Sequence, residues 1–511
     1  MKNISNLIYN TNITSSSNNV NPVVRELLVF FTVIKKEDLF VESIEKSVAK
    51  EEKNNTKIIL AVLVFSAFIG VFNETILNVA LNTLMDEMGV TAATIQWIVT
   101  AYMIVVSVMV PITAFLIQSF KTKKLYLGAM TFLLIGTISA ACSKSFFMLL
   151  ISRMVQAVGT GMLIPIMMNT ILMVTPTEKQ GSVMGVGLSA VQLGPALGPT
   201  VSGYLLQYFS WHALFVMLIP FIALCMICGY IYLINVSELT KPKLDILSII
   251  LSTLGVGGII YGLSTFSSGE NIIFTIVVFF IGIISLAVFC VRQISLKEPM
   301  IEIRTFKYSL FSIGVILVMI SMMTIFTMNV MLPIFLQGAL KTTTFLSALV
   351  LLPATLCNGF VSLIGGRLYD KIGSRVLIPT GFAIITLALF ILSGVGIETG
   401  LLKIIITYAI VCVGIGCSLS ISQISSLNIL PKEYYIHGVA ISNTLQQVSA
   451  AIGSAVFIGI MSSAQNKSLL ALKTVEGSVA VGFRTSVLAL DAVALIGLCL
   501  AIIMSIKNKK K

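Results

Sequence analysis

The 511-residue chain reads as an all-α polytopic membrane protein, and three features carry that reading. Apolar residues make up 57% of it and charged residues 11%, with a mean hydropathy of +1.01. A soluble domain carries about 25% charged residues, so this stock is too small to clothe a water-exposed surface. The apolar residues come in blocks near the length of about 20 that a helix needs to cross the hydrocarbon core, and the blocks run nearly to the C-terminus. Connections between blocks are short, and lipid offers no partner for open strand edges, so a helical bundle is the architecture that satisfies the backbone.

Residues 1–56 are polar and rich in Asn and Ser, and their one apolar stretch, 27–34, is too short to span. They are expected to form a disordered or loosely amphipathic cytoplasmic tail. Fourteen apolar segments follow. The first, about 57–80, gives roughly 33 Å of helix over 58–79 at 1.5 Å per residue. The second and third, about 95–118 and 125–142, flank a basic gap at Lys121, Lys123 and Lys124. The fourth to sixth, about 146–173, 181–206 and 211–234, include a Gly- and Pro-rich fifth, with Lys179 before it. The seventh and eighth, about 245–266 and 272–291, open on Asp245, whose charge favours a helix N-terminus, and close on Arg292. The ninth to twelfth, about 311–335, 345–368, 376–393 and 402–424, include a charged loop between the tenth and eleventh. The last two are about 437–461 and 485–506, with Asp491 near the predicted start of the fourteenth. Residues 507–511 are a basic cytoplasmic tail.

An even number of spans puts both termini on one side. That side collects Lys50, Lys53, Lys57, Lys121, Lys123, Lys124, Arg292, Arg304, Arg367, Lys371, Arg375 and the C-terminal lysines, whereas the other holds only Lys144, Lys341, Lys403, Lys467, Lys473 and Arg484. The positive-inside rule then makes both termini cytoplasmic. The loop holding Lys467, Lys473 and Arg484 runs against the trend. The net charge of +12 is thus explained by membrane orientation, and no nucleic-acid partner is expected.

The chain also repeats itself. Asn78-Val79-Ala80-Leu81 recurs as Asn329-Val330-Met331-Leu332, and Leu116, Gln118 and Lys123 align with Leu368, Asp370 and Arg375. Residues 57–235 and 301–506 are therefore expected to be related six-helix halves, with two inserted helices and the following loop in 236–300. Such repeats are a transporter signature, with substrate bound between the halves near the midplane. The eight cysteines lie mostly in apolar runs, where they act as small hydrophobes. Two histidines without an H-E-x-x-H pattern exclude zinc chemistry, and no G-x-x-x-x-G-K-[ST] occurs to bind ATP. No metal and no cofactor beyond a proton gradient is expected, and no nucleophile with its base suggests an enzyme.

The loop Gly366-Arg367-Leu368-Tyr369-Asp370-Lys371-Ile372-Gly373-Ser374-Arg375 resembles the G-x-L-x-D-[KR]-x-G-x-[KR] signature of the major facilitator superfamily. Its glycines permit a tight turn and close helix approach, and Asp370 with Lys371 and Arg375 suits a charged latch between helix ends. The alternative is that these charges only set topology. The equivalent loop of the first half has Gln118 in place of the acid and Lys121 in place of a glycine. In the fifth span, Gly194-Pro195-Ala196-Leu197-Gly198-Pro199 is similar to the G-P-x-x-G-P antiporter motif of drug exporters, where small residues and freed carbonyls would make a hinge or seal. Plain close packing is the other reading.

Arg153 and Gln156 match the family's R-x-x-Q element and share one face of the fourth span. A mid-helix cation costs at least about 2.5–3.5 kcal/mol on insertion scales, so Arg153 should face a cavity or partner, or else snorkel to an interface. Asn73-Glu74-Thr75-Ile76-Leu77-Asn78-Val79-Ala80 resembles the span-one signature of the fourteen-helix drug/proton antiporters, with Asn73 at the usual acid and Glu74 one place on. Burial favours a neutral acid and a nearby cation favours a carboxylate, so Glu74 facing Arg153 could carry the coupling proton. Otherwise it is a static packing or binding acid. Asn73, Asn78, Gln156, Gln192, Asn329, Asn443 and Gln446 are polar positions suited to line a substrate cavity.

The resemblance thus implies a major facilitator fold and a proton-coupled exporter of small amphipathic or cationic drugs, monomeric and multi-pass in the inner membrane, with drugs and membrane lipid as its partners. The alternatives are transport of an endogenous metabolite on the same fold, or a membrane protein that does not transport.

Overall fold

Helices form where the apolar blocks lie. The structure, a computed structural model, describes residues 56–77, 79–235, 239, 245–266, 272–296, 299–472 and 474–507. The expected tail before Thr56, Asn78, Lys473 and the basic end 508–511 lie outside the described residues. Among the described residues, fourteen long helices run in order. They are α1 (Thr56–Thr75), α2 (Ala92–Ser119), α3 (Thr122–Ala141), α4 (Phe146–Val174), α5 (Gln180–Leu205), α6 (His212–Tyr232), α7 (Ile246–Phe266), α8 (Ile272–Ser295), α9 (Ser309–Gly338), α10 (Thr344–Ile372), α11 (Ser374–Ser393), α12 (Leu401–Leu427), α13 (Tyr435–Leu472) and α14 (Val475–Lys507). Among the described residues, thirteen helices are long and apolar enough to cross a membrane, and α5 has the length, at 26 residues, with glycine and proline along it.

Local chemistry sets the helix starts. Thr91, Ser145 and Thr343 accept from the backbone N–H three residues on, at 3.2, 3.3 and 3.2 Å, capping α2, α4 and α10. Asp245 caps α7 through Ser248, as its position suggested, and also takes a two-pronged contact from Arg292 of α8 at 2.8 and 3.0 Å.

Three boundaries differ from the sequence reading. The first span, expected to reach residue 80, stops at Thr75, and a turn leads to a two-turn helix, Leu81–Met88, closed by Gly89 at φ +64°. The segment stays apolar through the break, so hydropathy does not register it. The last two helices are longer than their apolar cores, at 38 and 33 residues, because helix can continue through polar sequence beyond the hydrocarbon region. Lys467 therefore stands on α13 and Arg484 on α14, not in a loop, and Asp491 lies mid-helix rather than near the start of α14.

From Ile59 onward the chain is one compact unit. One buried apolar cluster is built mainly from α1–α6, with Leu63, Leu133, Met167 and Phe215, and reaches Phe311 and Val439. A second comes from α9–α14, with Phe335, Phe382, Tyr408 and Phe483. Between them, α5 packs along α10. Helices α7 and α8 pair with each other, and α7 lies against both α2 and α13, where Val256, Ile259 and Ile260 meet Val448, Ala451 and Ile104.

Candidate functional site

Because α1 ends inside the apolar bundle, its last carbonyls lack helical partners. Phe72 O is taken by Ile76 N at 3.0 Å. Arg153 of α4 serves the next two, with Nη1 donating to Asn73 O at 2.9 Å and Nη2 to Glu74 O at 3.0 Å. A cation there also meets the negative end of the helix dipole. Nη1 donates as well to Gln156 Oε1 at 3.0 Å, and Gln156 Nε2 donates to Thr137 Oγ1 at 2.9 Å. The guanidinium carbon sits 4.1 Å from the centroid of the Tyr102 ring, a cation–π contact. Tyr102 accepts from Asn73 Nδ2 at 3.4 Å and shares a 2.8 Å hydrogen bond with Thr160.

Arg153 is 1% exposed, so it does not snorkel to an interface. Its contact with Glu74 is through the main chain. Among the described residues no ion pair joins the half-buried Glu74 to Arg153, whose guanidinium caps the helix end. Arg153 Nε and Asn73 Oδ1 are buried without hydrogen-bond partners. Of the partners, Tyr102 carried a sequence signal as an aromatic within a span, whereas Thr137 and Thr160 carried none.

The remaining polar positions fall in three places. Gln192 of α5 reaches across to α10 and α12, donating to Ser362 at 2.9 Å and Ser420 at 3.4 Å. Asn443 and Gln446 of α13 form an amide cluster with Gln423 of α12: Asn443 Oδ1 accepts from Gln423 at 3.2 Å and Gln446 at 3.3 Å, while Asn443 Nδ2 points at Met168 Sδ of α4, 3.4 Å away. Asn329 of α9 accepts from Tyr408 at 2.8 Å, away from both groups in its contacts. Asn329 lies within the unbroken 30-residue α9, whereas α1 stops at Thr75.

The glycine-proline segment of α5 packs on α1. A Cβ on Gly194 would stand 3.0 Å from Phe72 N, one on Gly198 would collide with Thr75 Oγ1, and Pro195 and Pro199 are half-buried beside them. Near the start of α5, a Cβ on Gly366 of α10 would overlap Gly181 O and stand 2.8 Å from Gly185 Cα, so only glycine permits this backbone-to-backbone crossing. The crossing places Asp370 on the N-terminus of α5, where its carboxylate accepts from Ser182 N at 2.7 Å and from the Ser182 hydroxyl. Asp370 thus engages another helix's amide end. Lys371 and Arg375 are exposed, and Gly373, at φ +74°, turns the chain from α10 into α11.

The family model described as Major Facilitator Superfamily matches residues 63–454. The chain is 43% identical over 418 residues to the lincomycin resistance protein LmrB of Bacillus subtilis, covering 81% of this chain and 87% of that protein. It is 42% identical over 413 residues to LmrB of Listeria innocua, covering 80% and 87%. Among solved structures, the human organic anion transporter MFSD10 matches with a TM-score of 0.62 at 11% identity, over 87% of this chain and 99% of that one, a likeness of fold.

Proposed function

The chain belongs to the major facilitator superfamily, and on that premise we propose that it exports small amphipathic or cationic drugs in exchange for protons, by alternating access of two six-helix halves, 57–235 and 301–506. It is a multi-pass transporter of the cell membrane and not an enzyme. The drug assignment rests on the identity of 43% to a protein named for lincomycin resistance. The coupling assignment is supported by Glu74, an acid at the broken end of α1 whose main-chain carbonyl is held by Arg153. A proton on Glu74 neutralises the acid in one state, and its loss lets the carboxylate hold a cationic drug or turn toward Arg153 in the other. The amide cluster of Asn443 and Gln446, with Gln192, supplies polar groups between the halves.

Drug accumulation in cells with and without the protein, with and without a protonophore, tests this reading. The wild type lowers lincosamide accumulation and the protonophore restores it. Glu74→Gln accumulates drug as cells lacking the protein do, whatever the gradient. Full proton-driven export by Glu74→Gln removes Glu74 from the coupling role. Unchanged accumulation with the wild type turns the assignment toward an endogenous metabolite.

A further inference from the structure

Away from Arg153, a cavity of about 870 Å³ lies between the α7–α8 pair and α13 and α14. That volume is within the range of about 300–1,000 Å³ found for ligand clefts. Leu263 of α7, Ile276 and Phe280 of α8, and Val456 and Gly459 of α13 form its apolar walls, and Lys467 is the single cation among its described lining residues. Ile276, Phe280 and Val456 are 41%, 56% and 45% exposed, so the cavity faces what surrounds the bundle, which for an apolar surface of this kind is lipid. Leu263 lies near the end of α7 and Ile276 near the start of α8, which puts the cavity at the end of the bundle opposite the Asp370 loop.

Lys467 breaks the charge pattern of that end, which is otherwise poor in Lys and Arg. Among the described residues it has no ion pair, although it borders an apolar cavity. Apolar walls with one cation fit an amphiphile with an anionic head, and the same cation repels a cationic drug. We propose that this cavity binds an anionic phospholipid of the surrounding bilayer, with an acyl chain between α8 and α13 and its phosphate on Lys467. With both termini cytoplasmic, the end opposite the Asp370 loop is the outer one and the lipid belongs to the outer leaflet; only that choice of leaflet rests on the proposed orientation. The binding itself is independent of the drug-export reading.

Native mass spectrometry of the purified full chain, titrated with phosphatidylglycerol or phosphatidylcholine, tests it, with a photoactivatable phosphatidylglycerol to map the site. The wild type should retain one phosphatidylglycerol about five-fold more tightly than phosphatidylcholine, the increment expected of one lysine, and cross-link on α8 or α13. Lys467→Gln should bind both lipids equally. Gly459→Phe should lose both, and a side chain is sterically tolerated at Gly459, whose Cβ would meet nothing within 4 Å. Ile276→Trp fills the cavity from the opposite wall should that variant fail to fold. Equal binding of the two lipids by the wild type, cross-links confined to other helices, retention unchanged by either filling substitution, or displacement of the lipid by a cationic drug would each overturn the proposal.

Discussion

A guanidinium with 1% of its surface exposed inside an apolar bundle needs donors' work to do, and Arg153 has it: two main-chain carbonyls, one amide and an aromatic face. The arrangement uses the fork geometry of arginine, since two adjacent carbonyls are met by Nη1 and Nη2 of one planar group. Lysine carries the charge but not the fork. Arg153→Lys should therefore leave at least one carbonyl at the end of α1 unpaired, at about 1–3 kcal/mol for a buried group. The expected outcome is a lower thermal unfolding midpoint in detergent together with reduced drug export, whereas a variant equal to wild type in both would remove the capping role. The sequence made Arg153, Gln156, Asn73 and Glu74 visible as polar residues in apolar runs. It did not show that the cation serves carbonyls, because main-chain acceptors carry no letter of their own and become available only where a helix stops. Asp491 shows the same limit, since its meaning depends on where α14 begins, and its Oδ1 is buried without a hydrogen-bond partner well inside that helix.

Between elements, two charged contacts work by different physics. Asp370 sits at the amide end of α5, where a carboxylate is stabilised by the helix dipole and by the N–H of Ser182. An anion in such a place contributes about 0.3–1 kcal/mol. Asp370→Asn should thus shift the population toward separation of α5 and α10 at this end by about two- to five-fold, read as spin-label distances between the two helices, and an unchanged distribution would reduce Asp370 to a topology charge. In the α7–α8 pair, the Asp245 carboxyl is lowered from 3.8 to about 2, chiefly by the hydrogen bond from Arg292. A depressed acid contributes stability that is fully present above its ordinary value and lost as pH falls through the folded one. Unfolding midpoints of the wild type and Asp245→Asn should therefore differ at neutral pH and converge between about pH 4 and pH 2. Parallel curves across that window would mean that the ion pair does not stabilise the fold. At this scale the sequence was a good guide to which segments are helical, because each long apolar run has one structural solution in lipid. It was a poor guide to ends: Ile76, Leu77 and Ala80 look like more of α1, and 462–484 looks like loop, since hydropathy reports contact with lipid and not hydrogen bonding.

For the whole molecule, the proposed alternating access poses the question of which contacts must part for a site between the two proposed halves to face each side in turn. The α5–α10 crossing joins a helix of 57–235 to one of 301–506 by backbone contact at the Asp370 end, so a cycle that exposes the site there has to break it. The α7–α8 pair stands differently. Its helices touch closely, with a Cβ on Gly255 only 3.1 Å from the Cβ of Leu286, and α7 leans on both α2 and α13. A pair packed that closely is expected to move as one body, without opening within itself. Disulfides separate the two cases. The native cysteines are all free, so a cysteine-less background leaves engineered pairs as the only bonds formed. Ser182→Cys with Asp370→Cys joins side chains already in contact, and Gly255→Cys with Leu286→Cys is close to the Cβ separation of about 3.5–4.5 Å that a disulfide requires. Oxidation of the first pair should stop export from cells or vesicles, and reduction should return the activity of the reduced double variant. Oxidation of the second should leave export within about two-fold, since a link inside one rigid body removes no motion the cycle uses. Export that continues with the first pair fully oxidised would mean that the halves exchange access without parting at this crossing, and the alternating-access reading would have to place its gate elsewhere.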